Sequence, residues 1–143
     1  MQPGELPIKK IVRGSQMIES YALSARLADD SVIPYPLTDF ADIRMTVRRS
    51  DNPFGDEIYT LSLANGYITL TKKPVYSVPD DSGEPELLYE LDVMNINHSS
   101  SKTLLFEADE EHYRDIMFLT TGGEALIWAK GTLFVIYNKT NKP

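Results

Sequence analysis

Few residues in this chain have the chemistry for proton transfer or metal binding. There are two histidines, His98 and His112, and no cysteine. A nucleophilic Ser or Thr would need one of those imidazoles as its base. Both lie in polar runs, Asn97-His98-Ser99-Ser100-Ser101 and Ala108-Asp109-Glu110-Glu111-His112, so each reads as a solvated surface residue. A metal site would have to combine them with Asp109 or Glu111. Ligands at i and i+3 need an ordered helix, and one helical turn is a poor platform. Paired carboxylates for glycoside hydrolysis are defined by their separation in space. Asp80, Asp81, Glu84 and Glu86 form one acidic cluster and residues 109–111 another; both read first as solvated faces. Asp80, Asp81 and Glu84 lack the full ligand spacing of a calcium-binding hand. No glycine-rich phosphate loop occurs, and Arg13-Gly14-Ser15 is not an integrin-type tripeptide. The sequence therefore predicts no enzyme, no cofactor and no metal. Tyr35, Tyr67, Tyr76 and Trp128 could stack on sugar rings, although core packing is the first expectation for Trp128.

The elements that would position these residues read as strands. Residues 113–140 predict two antiparallel strands folded over Gly122-Gly123. In the second, Leu133, Val135 and Tyr137 face one way and Phe134 and Ile136 the other, so both faces need cover. Ile43, Met45 and Val47 alternate with Arg44, Thr46 and Arg48 in a half-buried strand from Asp42 to Arg49. Tyr59, Leu61 and Leu63 face inward from the next strand, and Asn65-Gly66 predicts a hairpin turn into Ile68 and Leu70. Upstream, Ile8, Ile11 and Val12 open a short strand. Tyr21, Leu23, Ala25 and Leu27 share a strand face, although helix competes there. Pro34 and Pro36 force an extended connection. Tyr89, Leu91 and Val93 form a strand with Met94 and Ile96 behind it. Leu104 and Phe106 mark a short strand, and residues 108–113 at most one helical turn. Two segments stand apart: residues 1–8, an extended arm with Pro3 and Pro7, and residues 73–86, a long acidic, proline-rich surface loop.

The whole is one domain, 1–143, of about eight or nine short strands. This spacing predicts an all-β, immunoglobulin-like antiparallel β-sandwich or a barrel. At 42% apolar and 24% charged the composition is that of a globular protein. The net charge of −7 and the scattered lysines and arginines argue against nucleic acid. No apolar run reaches membrane-spanning length, and the amino terminus lacks the pattern of a signal peptide. The expectation is a cytoplasmic protein, or one assembled there into something larger.

Several short motifs together resemble the immunoglobulin-like sandwich domains of tailed-phage virion proteins: the amino-terminal domain of the baseplate upper protein, and head-fibre and tail accessory proteins. They are Ile11-Val12-Arg13-Gly14, with Ser15 where the family has Asp; Leu37-Thr38-Asp39-Phe40 leading into the strand at 42–49; Gly66 to Leu70; the turn at 110–113; Tyr113-Arg114-Asp115-Ile116; Lys130-Gly131; Leu133 to Tyr137; and Thr140. The segment 73–101 is longer than the family carries. The chain stops just after the last strand, where many relatives continue into a stalk or receptor-binding region.

The resemblance implies a non-enzymatic virion subunit, an adaptor, decoration or fibre-type protein on head or tail. Its partners would be other phage structural proteins (capsid, portal or tail, baseplate) and further copies of itself. Its place would be the virion, assembled in the host cytoplasm. Leu6, Ile8, Phe134, Ile136 and Tyr137 are the expected partner contacts, because a lone sandwich buries only one face of each sheet. The second reading is a carbohydrate-binding module or adhesin using surface aromatics.

Overall fold

The computed structural model describes residues 4–78, 83–107 and 110–136, with side chains for all of these but 25, 26 and 32. The fold is all-β. Its larger sheet has the order β7-β6-β10-β11: β6 is Asp42–Arg48, β7 Glu57–Ser62, β10 Glu111–Leu119 and β11 Ala125–Ile136. Two short strands, β1 (Gly4–Glu5) and β2 (Lys9–Val12), both lie parallel to β11 along its outer side. The facing sheet is β3-β9-β8, from Met17–Ala22, Leu87–His98 and Ile68–Tyr76. A small hairpin, β4 (Ser24–Arg26) with β5 (Val32–Pro34), and a 3-10 turn at Leu37–Asp39 bridge from β3 to β6. In chain order this is the arrangement of an immunoglobulin-type sandwich: B-E-D in one sheet, and G-F-C with an added strand in the other.

The sequence patterns explain the layers. Ile43, Met45 and Val47 point inward from β6, and Ile116 and Phe118 do so from the paired positions of β10. Met94 and Ile96 face them from β9, while Leu133 and Val135 do so from β11. Phe134 and Ile136 are half-buried on the opposite face of β11. The hairpin between β10 and β11 forms at 120–124, and only Gly123 of its two glycines takes the left-handed φ, at 89°. Trp128 is the extra residue of a bulge: Met117 pairs with Ile127 and Ile116 with Ala129. A bulge re-aims a side chain that strict alternation would send elsewhere. Trp128 thereby stacks on Phe118, centroids 5.7 Å apart, and meets Tyr21 of the other sheet edge-on at 6.2 Å.

Several expectations are corrected. The described residues form eleven strands, several of them very short. Asn65-Gly66 makes no hairpin, because β7 and β8 belong to different sheets. The Asn65 side chain accepts from the amides of Ser62 and Tyr67 and donates to the Thr60 carbonyl, fixing a turn that carries the chain across the sandwich. The helical turn is at Ser100–Thr103, capped by the Ser99 side chain, where a polar loop was expected; residues 111–113 are strand. Phe106 lies in no strand, yet it is fully buried beside Tyr59 and His112. The strand at 17–27 stops at Ala22 and Leu27 is exposed. The long loop is shorter, since residues 73–76 extend β8 against residues 87–91 of β9. Pro74 is tolerated there because β8 is an edge strand. Asp80 and Asp81 lie outside the described residues.

The arm is tied down as well. Leu6 is buried, and its amide donates to the Lys130 carbonyl at 2.7 Å. It lies so close to Gly131 that a Cβ there would stand 2.9 Å from both the Leu6 side chain and its carbonyl oxygen. Gly131→Ala should therefore lift the arm, costing about 1–3 kcal/mol as an overpacking change. Hydrogen exchange at the Leu6 amide is the readout, and unchanged protection would show that the arm is not held by this contact.

Candidate functional site

Neither histidine is where the sequence placed it. His98 is fully buried and His112 nearly so. β9 has its inward face at Asp92, Met94, Ile96 and His98, so the imidazole enters the interior one step after two core residues. Its Nε2 hydrogen-bonds Glu19 Oε2 at 2.8 Å, the carboxylate accepting, and its Nδ1 hydrogen-bonds the Tyr59 hydroxyl at 2.7 Å. Glu19 sits on the inward face of β3. Its Oε1 accepts from the Tyr21 hydroxyl at 2.7 Å and from the Arg114 guanidinium of β10, whose other terminal nitrogen donates to the Pro7 carbonyl at 2.6 Å. Burial alone would raise the Glu19 carboxyl, but the His98 hydrogen bond and the Arg114 charge outweigh it and hold the pKa at about 2. Burial and the bond to Glu19 push the Tyr21 phenol up to about 12.

A Glu–His pair with two tyrosines has the composition of a proton-transfer site. A general base must reach its substrate within hydrogen-bond range. Here the side chains of His98, Glu19 and Arg114 are 0%, 1% and 0% exposed. Burial on this scale and the three hydrogen bonds that the Glu19 oxygens accept mark a structural network. It bridges the two sheets through the strands equivalent to B and F, which a disulfide joins in antibody domains. The sequence does carry a signal for it: Glu19 shares a face with Met17 and Tyr21, and Arg114 with Ile116 and Phe118, so opposite charges occupy core positions of two different strands.

His112 packs edge-on against Phe106, centroids 4.7 Å apart, and burial lowers its pKa despite the nearby Glu110. Among the described residues no group of three or more His, Asp or Glu side chains is placed to hold a metal. Asp109 lies outside them.

The expected partner contacts separate. Leu6 belongs to the core, whereas Ile8 is 74% exposed. Both border a shallow groove of about 390 Å³ across β10 and β11, with Tyr113, Lys130, Thr132 and Asp51. Phe134 lies beside it, with Lys10 and Glu111 as its strand neighbours, and Ile136 pairs with Val12. Tyr137 lies outside the described residues.

A different surface gathers more apolar area. β3 ends opposite Val93 of β9, β10 ends at Leu119 and β11 begins at Ala125. One end of the sandwich is thus built by segments 23–41, 72–91 and 120–127. Among the described residues, nine of the fourteen exposed large hydrophobic side chains lie there: Leu27, Ile33, Tyr35, Tyr76, Val78, Leu87, Leu88, Leu126 and Ile127. A ladder of rings runs into it from the core, Tyr35 on Phe40 at 5.8 Å, Phe40 on Phe118 at 4.4 Å and Phe118 on Trp128. Between these rings and Leu126 and Ile127 is a cleft of about 190 Å³. Asp92 anchors this end, accepting from the Leu37 amide at 2.9 Å while ion-paired to Lys72. No protein-family model and no curated protein matches the chain.

Proposed function

We propose that the chain is a non-enzymatic structural subunit of a tailed-phage particle, an adaptor, decoration or fibre-type protein that docks on head or tail through protein–protein contacts. The observation that carries the docking role is the apolar end of the sandwich, because exposed hydrophobic residues gathered in one region mark interaction sites. The phage assignment rests on the motif resemblance, and the immunoglobulin-like strand order supports it. The burial of His98, Glu19 and Arg114 in a structural network favours a binding role over catalysis. Partners would be other structural proteins of the particle and further copies of the chain, with neither nucleic acid nor membrane involved, and the virion would be its place of action. No helix among the described residues is long and apolar enough to cross a membrane.

The carbohydrate-binding alternative has less to stand on. Trp128 is half-buried in the ring ladder, and Tyr67 is covered by the Lys102 ammonium at 5.0 Å. Tyr35 and Tyr76 are the exposed members of the four.

Electron microscopy of purified particles from the source of the chain tests the reading. A sandwich-sized density on head or tail, together with the chain in the particle's protein content, is the expected result. A chain abundant in the lysate and missing from intact particles would overturn it.

A further inference from the structure

The cleft at the apolar end has a size and an electrostatic setting that narrow its occupant. At about 190 Å³ it is below the range of small-molecule sites, roughly 300–1,000 Å³. It is near the bulk of a single large side chain. Its lining includes Tyr35, Phe40, Phe118, Leu126, Ile127 and Trp128. Such a well-walled apolar pocket is where one anchor residue of a partner contributes most.

The surroundings are acidic. Among the described side chains, segments 23–41, 72–91 and 120–127 present Asp29, Asp30, Asp39, Glu84, Glu86, Glu90 and Glu124 as exposed charged residues, against Lys72 and Lys73. Lys72 is already paired with Asp92. Asp39 adjoins the lining residue Phe40 in the chain, and Glu124 lies two residues before the lining residue Leu126, so exposed negative charge is carried by the segments that build the cleft. Complementary charge steers encounter and rejects like-charged partners.

We propose that this cleft receives one large apolar side chain from a lysine- or arginine-rich segment of another protein. The inference rests on the docking role proposed above and names its surface and the chemistry of its partner. A two-fold contact with a second copy of this chain is disfavoured, because it would bring the same acidic rim against itself.

The test uses the whole chain, labelled for amide NMR, titrated with the peptide Lys-Lys-Phe-Lys-Lys and with two controls that replace Phe by Ala or every Lys by Glu. The expected result is shifts confined to residues around Phe40 and Leu126 to Trp128. The parent peptide should bind about tenfold or more tightly than either control, and weaken as salt rises from about 50 to about 500 mM. Ile127→Lys, at an exposed position, should abolish those shifts while the rest of the spectrum stays native. Absence of cleft shifts up to about 10 mM peptide overturns the proposal, as does equal binding of the glutamate peptide. Self-association of the free chain that Ile127→Lys abolishes would also overturn it, making a second copy the occupant. Peptide binding by a chain that is missing from particles would sink the particle reading and leave the cleft standing. A chain present in particles that gives no cleft shifts would do the reverse.

Discussion

Arg114→Met should destabilise the domain by about 3–5 kcal/mol in urea unfolding, the usual cost of removing one partner of a buried ion pair. Glu19 would then lie in the interior without the charge that balances it, and the Pro7 carbonyl would lose its donor. Glu19→Leu combined with Arg114→Met should recover part of the loss, because removing both charges leaves no unpaired ion. A single Arg114→Met variant within about 1 kcal/mol of the parent would show that the pair does not hold the sheets together. The same network predicts an acid limb. The Glu19 carboxyl is held at about 2 in the fold against an ordinary value of 4.5. The unfolded chain therefore takes up the proton first as pH drops. Its contribution is complete above about pH 4.5 and drains away as pH falls toward 2. Glu19→Gln should flatten the stability profile across that window, and an unaltered acid limb would assign the sensitivity to other carboxylates.

His98→Ala should cost about 2–4 kcal/mol, combining a cavity with two broken hydrogen bonds, one of them to a charged group. For a domain of this length that is a fall in Tm of roughly 10 °C. Read from sequence as a solvated side chain, His98 would be replaceable within about 0.5 kcal/mol; the two accounts differ enough for one melting curve to decide. Tyr59→Phe is the graded control, since it removes one hydroxyl and keeps the ring against Phe106. A Tm for His98→Ala within about 2 °C of the parent would mean that water replaces the imidazole at little cost.

The parts legible in the sequence are those governed by strand alternation. β6 and the β10–β11 hairpin follow from period-two patterns and a glycine turn, and the all-β class follows with them. The parts that were not legible depend on pairing at long range. Asn65-Gly66 has the local chemistry of a hairpin, yet nothing local reveals that the following strand joins the other sheet. Trp128 faces inward because a bulge adds one residue, which shifts the alternation without leaving a mark in residue type. The run Asn97-His98-Ser99 looks polar in isolation; only the continuation of the Met94 and Ile96 face turns His98 inward. The apolar end draws its residues from three segments far apart in the chain, 23–41, 72–91 and 120–127, and no single stretch of sequence displays it.

The strand β11 sets the timing of synthesis against folding. Both amino-terminal strands pair with it, and the Leu6 amide bonds to its Lys130 carbonyl. Glu19 must likewise wait for Arg114, 95 residues later. On a ribosome adding about 5–20 residues per second, the first strands spend several seconds exposed before their partner emerges. Contacts of such long sequence separation also place the domain among slow folders. A nascent chain halted before β10 would carry a buried-type glutamate with no cation and two strands with no sheet to join. The chain therefore closes its larger sheet only after translation has passed its last strand, and the preceding interval is the one in which it depends most on being kept apart from its neighbours.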